Sequence, residues 1–97
     1  MSIHRYAARK DANEAAIVEA LRAAGASVWI VGLPVDLLIG FQGRTILAEV
    51  KTLTGKRNPH AKGYTDLQRD FMASWRGGTV ATLTDVESAL TLLRVCL

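Results

Sequence analysis

The stretch Asp36-Leu37-Leu38-Ile39-Gly40-Phe41-Gln42-Gly43-Arg44-Thr45-Ile46-Leu47-Ala48-Glu49-Val50-Lys51 decides the fold. Two apolar runs flank Gln42-Gly43 and alternate as strands do, so the segment reads as a β-hairpin whose two-residue turn pairs Phe41 with Arg44. Counting back from the turn sets Asp36 directly opposite Glu49 on one face of the sheet, with Cβ atoms about 5 Å apart. Lys51 shares that face. Like charges opposite one another destabilise a sheet, so two carboxylates placed among Leu, Ile and Val need a reason, and a divalent cation is the simplest.

The hairpin strands span about 35–41 and 44–51, and Val28 to Val31 forms a short first strand that Gly32 and Pro34 interrupt. Upstream, Asp11-Ala12-Asn13-Glu14 has the form of a helix-capping pair and opens an alanine-rich segment that stops at Gly25, which predicts a helix over about 12–24. Glu14, Ile17, Val18 and Leu21 fall on one side of its wheel, so Glu14 leans toward the core. After Lys51 comes a loop of about a dozen residues rich in Gly, Lys and Asn. Thr65-Asp66-Leu67-Gln68 then opens a second helix to about Arg76, stopped by Gly77-Gly78. Thr79 to Leu83 reads as a strand, and Thr84-Asp85-Val86-Glu87 caps a last helix to about Leu93. A strand, a helix and a further strand at this spacing imply parallel pairing, so the expected class is α/β, in the order α-β-β-β-α-β-α with a mixed sheet flanked by helices.

At 97 residues the chain reads as one domain. Hydrophobic residues make up 49% and charged ones 22%, the balance of a folded protein rather than a disordered one. No run approaches the roughly 20 apolar residues of a membrane span, and the first residues carry no signal-peptide core, so the expectation is a cytoplasmic protein with no membrane partner. A lone cysteine, Cys96, excludes an internal disulfide and a cysteine zinc site. The net charge of +3 is compatible with a polyanionic partner, and its placement says more. Basic residues gather at Arg5, Arg9 and Lys10 and again at Lys56, Arg57 and Lys62, both clusters being candidate phosphate contacts or plain solvated surface.

The elements Glu14, Asp36 in Pro34-Val35-Asp36, Glu49-Val50-Lys51 and Thr65-Asp66-Leu67-Gln68 occur in an order that resembles the PD-(D/E)XK nuclease superfamily. The resemblance is nearest to the small phage and bacterial VRR-NUC proteins, which are similar to Holliday-junction resolvases. The family's Pro-Asp is here interrupted by Val35, and pairing geometry still selects Asp36. The resemblance implies a restriction-endonuclease-like fold, Glu14, Asp36, Glu49, Lys51 and Gln68 as catalytic residues, and Asp36, Glu49 and the Val50 carbonyl as ligands of Mg²⁺, with Mn²⁺ as substitute. It also implies a DNA endonuclease acting on branched DNA such as four-way junctions and leaving 5′-phosphate and 3′-hydroxyl ends. A domain this small that cuts two strands symmetrically needs two active sites, hence an expected two-fold homodimer.

The chemistry stands independently of the resemblance. Mg²⁺ takes oxygen ligands and keeps several waters, so two carboxylates and a carbonyl suffice to hold it. Lys51, about 7 Å along the strand from Glu49, can orient the attacking water and stabilise growing negative charge.

Each residue also has a structural role to weigh. Glu49 and Lys51 can form an ordinary surface salt bridge, Glu14 can complete a cap with Asp11, and Gln68 can occupy the third position of a cap begun by Thr65 while sharing a face with Phe71, Met72 and Trp75. Trp29, Phe41, Phe71 and Trp75 read as core or interface residues. His4 and His60 have no second histidine at metal-ligand spacing, and there is no phosphate-binding P-loop. The alternatives to a DNA endonuclease are a catalytically silent DNA-binding or nuclease-accessory module and an RNA-processing nuclease.

Overall fold

The structure, a computed structural model, describes residues 3–52 and 66–95, with side chains from residue 11 onward. The elements are α1 (Ile3–Ala23), β1 (Ser27–Ile30), β2 (Leu37–Phe41), β3 (Arg44–Val50), α2 (Asp66–Ser74), β4 (Val80–Leu83) and α3 (Val86–Val95). They form a four-stranded mixed sheet in the order β1-β2-β3-β4, antiparallel except for the parallel β3-β4 pair, with helices against it. The fold is therefore α/β in the order the sequence predicts.

Helix α1 begins at Ile3 rather than near residue 12. No glycine or proline interrupts the chain before Gly25, and alanines recur through it, so helix propensity carries the backbone straight through Asp11. Asp11 is consequently an exposed residue inside the helix, and the cap expected of Asp11 and Glu14 does not exist. The other end stops as expected. Gly25 adopts φ +102°, Ala26 N–H donates to Leu21 O at 3.0 Å and Gly25 N–H to Arg22 O at 3.0 Å, the paired bonds of a Schellman motif.

The hairpin closes through Gln42 at φ 50° and Gly43 at φ 79°, both left-handed as a type I′ turn requires, with Phe41 paired to Arg44. Strand β1 is one residue earlier than expected, and β2 begins at Leu37, after a loop containing a cis Leu33-Pro34 bond. Helix α2 ends at Ser74 instead of Arg76. Trp75 leaves the helix, stacks on Phe71 with ring centroids 5.1 Å apart and donates from Nε1 to Gly78 O at 2.8 Å, its indole lying where a side chain at Gly77 would go. The cap of α3 is shifted by one residue from the expected Thr84–Glu87 pair. Ser88 N–H donates to Asp85 Oδ1 at 2.7 Å, and Ser88 Oγ accepts from Asp85 N–H at 3.1 Å and Thr84 N–H at 2.9 Å. Asp85 is the better cap because its carboxylate accepts at the helix N-terminus, where negative charge is favoured.

The two faces of the sheet differ. Val28, Leu37, Ile39, Ile46, Ala48, Val50 and Leu83 point to one side and pack against Ile17, Val18 and Leu21 of α1 and Ala89 and Leu93 of α3. Each fully buried aliphatic side chain there contributes roughly 1.5–3 kcal/mol relative to exposure, which makes this layer the stabilising core. On the other face the register lines up a cross-sheet row of Trp29, Leu38, Leu47 and Val80, with Glu49 and Thr82 in the adjoining row. Among the described residues no helix is long and apolar enough to cross a membrane.

Candidate active site

Asp36 lies one residue before β2, and extending the Leu37–Ala48 pairing by one step places it opposite Glu49. Several bonds fix the direction of these groups. Lys51 N–H donates to Leu83 O at 2.9 Å, so the backbone of Lys51 is turned toward β4. The alternation of a strand then turns the N–H and carbonyl of Val50 toward β2. Val50 N–H donates to Asp36 Oδ2 at 2.8 Å, a charge-assisted bond that seats the carboxylate where the strand pairing ends. The Asp36 carbonyl is held from the opposite side, accepting from Val31 N–H at 2.9 Å and Gly32 N–H at 3.2 Å. With its main chain and its carboxylate both bonded, Asp36 has little freedom.

Glu49 is 3% exposed, Asp36 6% and Gln68 8%, the only buried polar or charged side chains among the described residues. Gln68 Nε2 donates to Glu49 Oε1 at 3.0 Å. An ionised carboxylate only accepts, so this bond fixes which way the Gln68 amide faces. It also puts α2 beside the carboxylates, on the side of the sheet opposite α1 and α3. The cap expected of Thr65 and Gln68 involves Thr65, which lies outside the described residues. Lys51 and Glu14 are half-buried, and none of Glu14, Asp36, Glu49, Lys51 and Gln68 is without an interaction partner. Gln68→Leu is expected to cost about 1–3 kcal/mol at neutral pH, because a buried carboxylate loses a donor. Urea unfolding of the variant checks this, and unchanged stability would show the bond to be incidental.

Glu14 continues the buried stripe of Ile17, Val18 and Leu21 by one turn. Beside it stands a residue the sequence reading passed over. Asn13 Nδ2 donates to Thr84 O at 2.9 Å and lies 3.4 Å from Thr52 Oγ1, clipping α1 to the C-terminal ends of β3 and β4 next to Lys51. Its only signal in the sequence is adjacency to Glu14, and the expected cap at Asp11 obscured it.

Among the described residues no three His, Cys, Asp or Glu side chains cluster as a metal site. The donor set that remains, two carboxylates with the Val50 carbonyl turned toward Asp36, is all oxygen and fits a hard cation that retains waters. Arg5, Arg9 and Lys10 fall on the first turns of α1 with side chains outside the described residues, and Lys56, Arg57 and Lys62 lie outside them altogether. Comparison of the chain with family models, with curated proteins and with solved structures finds no match.

Proposed function

We propose that this protein is a Mg²⁺-dependent, structure-selective DNA endonuclease of the PD-(D/E)XK type, similar to VRR-NUC proteins and acting on branched DNA as a homodimer. The observation that carries the reading is the buried pair Asp36 and Glu49, set abreast at a strand end with Lys51 two residues on. Two carboxylates buried side by side repel one another and lose hydration. A fold that needed only stability would place apolar residues there.

Asp36, Glu49 and the Val50 carbonyl would hold the ion, which when bound supplies charge stabilisation on the phosphate and a more acidic water. Lys51 extends from a backbone pinned to β4, so its ammonium is delivered to the same face from a rigid point and can orient a water or stabilise the phosphorane charge. Gln68 holds the Glu49 carboxylate in orientation. The preference for branched DNA rests on the family resemblance.

The test is incubation with synthetic four-way junctions, flaps, linear duplex and structured RNA, in Mg²⁺ or EDTA. Cleavage of branched DNA that needs Mg²⁺ supports the proposal. Binding without cleavage points to a silent DNA-binding module, and preferential cutting of RNA to an RNA-processing nuclease. The basic segment gives a separate expectation. Replacing Lys56, Arg57 and Lys62 together with alanine should weaken binding to every DNA tested and flatten the salt dependence of affinity by up to about three units of slope, since each phosphate contact contributes roughly one. An unchanged slope would move the DNA surface to Arg5, Arg9 and Lys10.

A further inference from the structure

Strand β1 is an outer strand of the sheet, and it is apolar where outer strands are usually charged. Trp29 is 71% exposed, Ile30 58%, Val31 45% and Leu33 56%. Two hydrogen bonds settle which backbone groups face outward. Arg22 Nη2 donates to Val28 O at 2.7 Å, so Val28 is turned away from β2, whereas Val31 N–H donates to Asp36 O at 2.9 Å and is turned inward. By alternation, the N–H and carbonyl of Ile30 project from the open edge. Arg22 covers the edge at Val28, and Gly32, at φ +80°, bonds back to Asp36 O and ends it. The open edge is therefore centred on Ile30.

We infer that Ile30 is the two-fold centre at which β1 pairs antiparallel with β1 of a second copy, giving one continuous sheet of two protomers. An antiparallel self-pair is isologous, so the residues on either side of Ile30 meet each other. Ile30 exchanges both backbone bonds with the partner's Ile30, and Trp29 faces the partner's Val31 at the flanking position, where cross-strand side chains come closest. The exposed apolar residues are thus complementary to themselves. Their exposed surface is roughly 500 Å² per copy, so the pair can bury at most about 1,000 Å² through these residues, near the lower bound for a specific interface.

A two-fold axis normal to the sheet leaves both Asp36–Glu49 pairs on the same face. At strand spacings of about 4.8 Å, the two pairs lie about 20 Å apart. The row Val80-Leu47-Leu38-Trp29 of one copy then runs into the partner's Val31 and the partner's Asp36, so Trp29 forms part of the rim of the other copy's site. The need for two sites in one assembly rests on the nuclease reading, whereas the edge geometry does not.

Sedimentation of the full chain and cysteine cross-linking test the pairing without nucleic acid. The wild-type protein is expected to be a dimer at tens of micromolar, and Ile30→Lys to associate at least tenfold more weakly while keeping its circular dichroism. In a Cys96→Ser background, Ile30→Cys should be joined into dimers by a short bismaleimide. Thr45→Cys, about 30 Å from its mate in this arrangement, should not. A wild-type monomer, a dimer whose Ile30→Cys is not joined, or equal joining through Thr45→Cys each overturns the inference. A β1-paired dimer that cuts nothing would overturn the nuclease reading alone, and an active monomer the edge pairing alone.

Discussion

On the proposed nuclease reading, Asp36→Asn and Glu49→Gln will each lower Mg²⁺-dependent cleavage by about a thousandfold or more, because removing either charge strips the hard-oxygen site that would hold the ion. The fold will survive. Asparagine keeps a carbonyl that can accept from Val50 N–H as Asp36 Oδ2 does, and glutamine keeps one for Gln68 Nε2. Deleting one charge also removes the repulsion between neighbouring carboxylates, so in EDTA each variant should be as stable as the wild type or more so. The wild type should gain melting temperature on adding Mg²⁺, by mass action on the folded state, and the variants should not. Asp36→Ala provides the contrast, since it leaves the buried Val50 N–H without its acceptor and should cost about 1–3 kcal/mol. Near-wild-type cutting by either amide variant would remove this site from the chemistry.

Lys51→Ala will reduce turnover by about a hundredfold or more and change DNA affinity far less. A lysine that stabilises charge developing on the phosphate acts mainly in the transition state, whereas a lysine that neutralises phosphate in the ground state acts on binding. The substitution leaves the backbone bond from Lys51 N–H to Leu83 O in place, so strand β3 keeps its register. Single-turnover rates at saturating DNA, measured beside equilibrium affinity, separate the two roles. Equal losses in both would assign Lys51 to the binding surface.

The hairpin and the carboxylate pair were legible because strand alternation and a two-residue turn leave one register, and a slip of one residue would turn Leu37, Ile39, Ile46 and Ala48 out of the core. The position of Asp36 followed from that count even though the residue falls just outside β2. Helix α2 beside the carboxylates was foreshadowed by Gln68 sharing the inward face of its helix, although the bond to Glu49 was not. The start of α1 was misread because a local capping pattern competed with uninterrupted helix propensity, and propensity summed over many residues won. That error hid Asn13, whose partners Thr52 and Thr84 lie far along the chain and leave no local pattern. The cap of α3 was displaced because Thr84 and Asp85 are both acceptable caps, and only the observed bonds select between them.

The bond from Asn13 to Thr84 O spans 71 residues, and the one from Lys51 N–H to Leu83 O ties the same strand end to β4. Loops of this length close late, because their entropy must be overcome before the contact is made. A chain emerging from the ribosome therefore carries Asp36 and Glu49 well before β4 is made and can pin Lys51. The strand end that carries Asp36, Glu49 and Lys51 is thus completed only once the last strand of the sheet has been made.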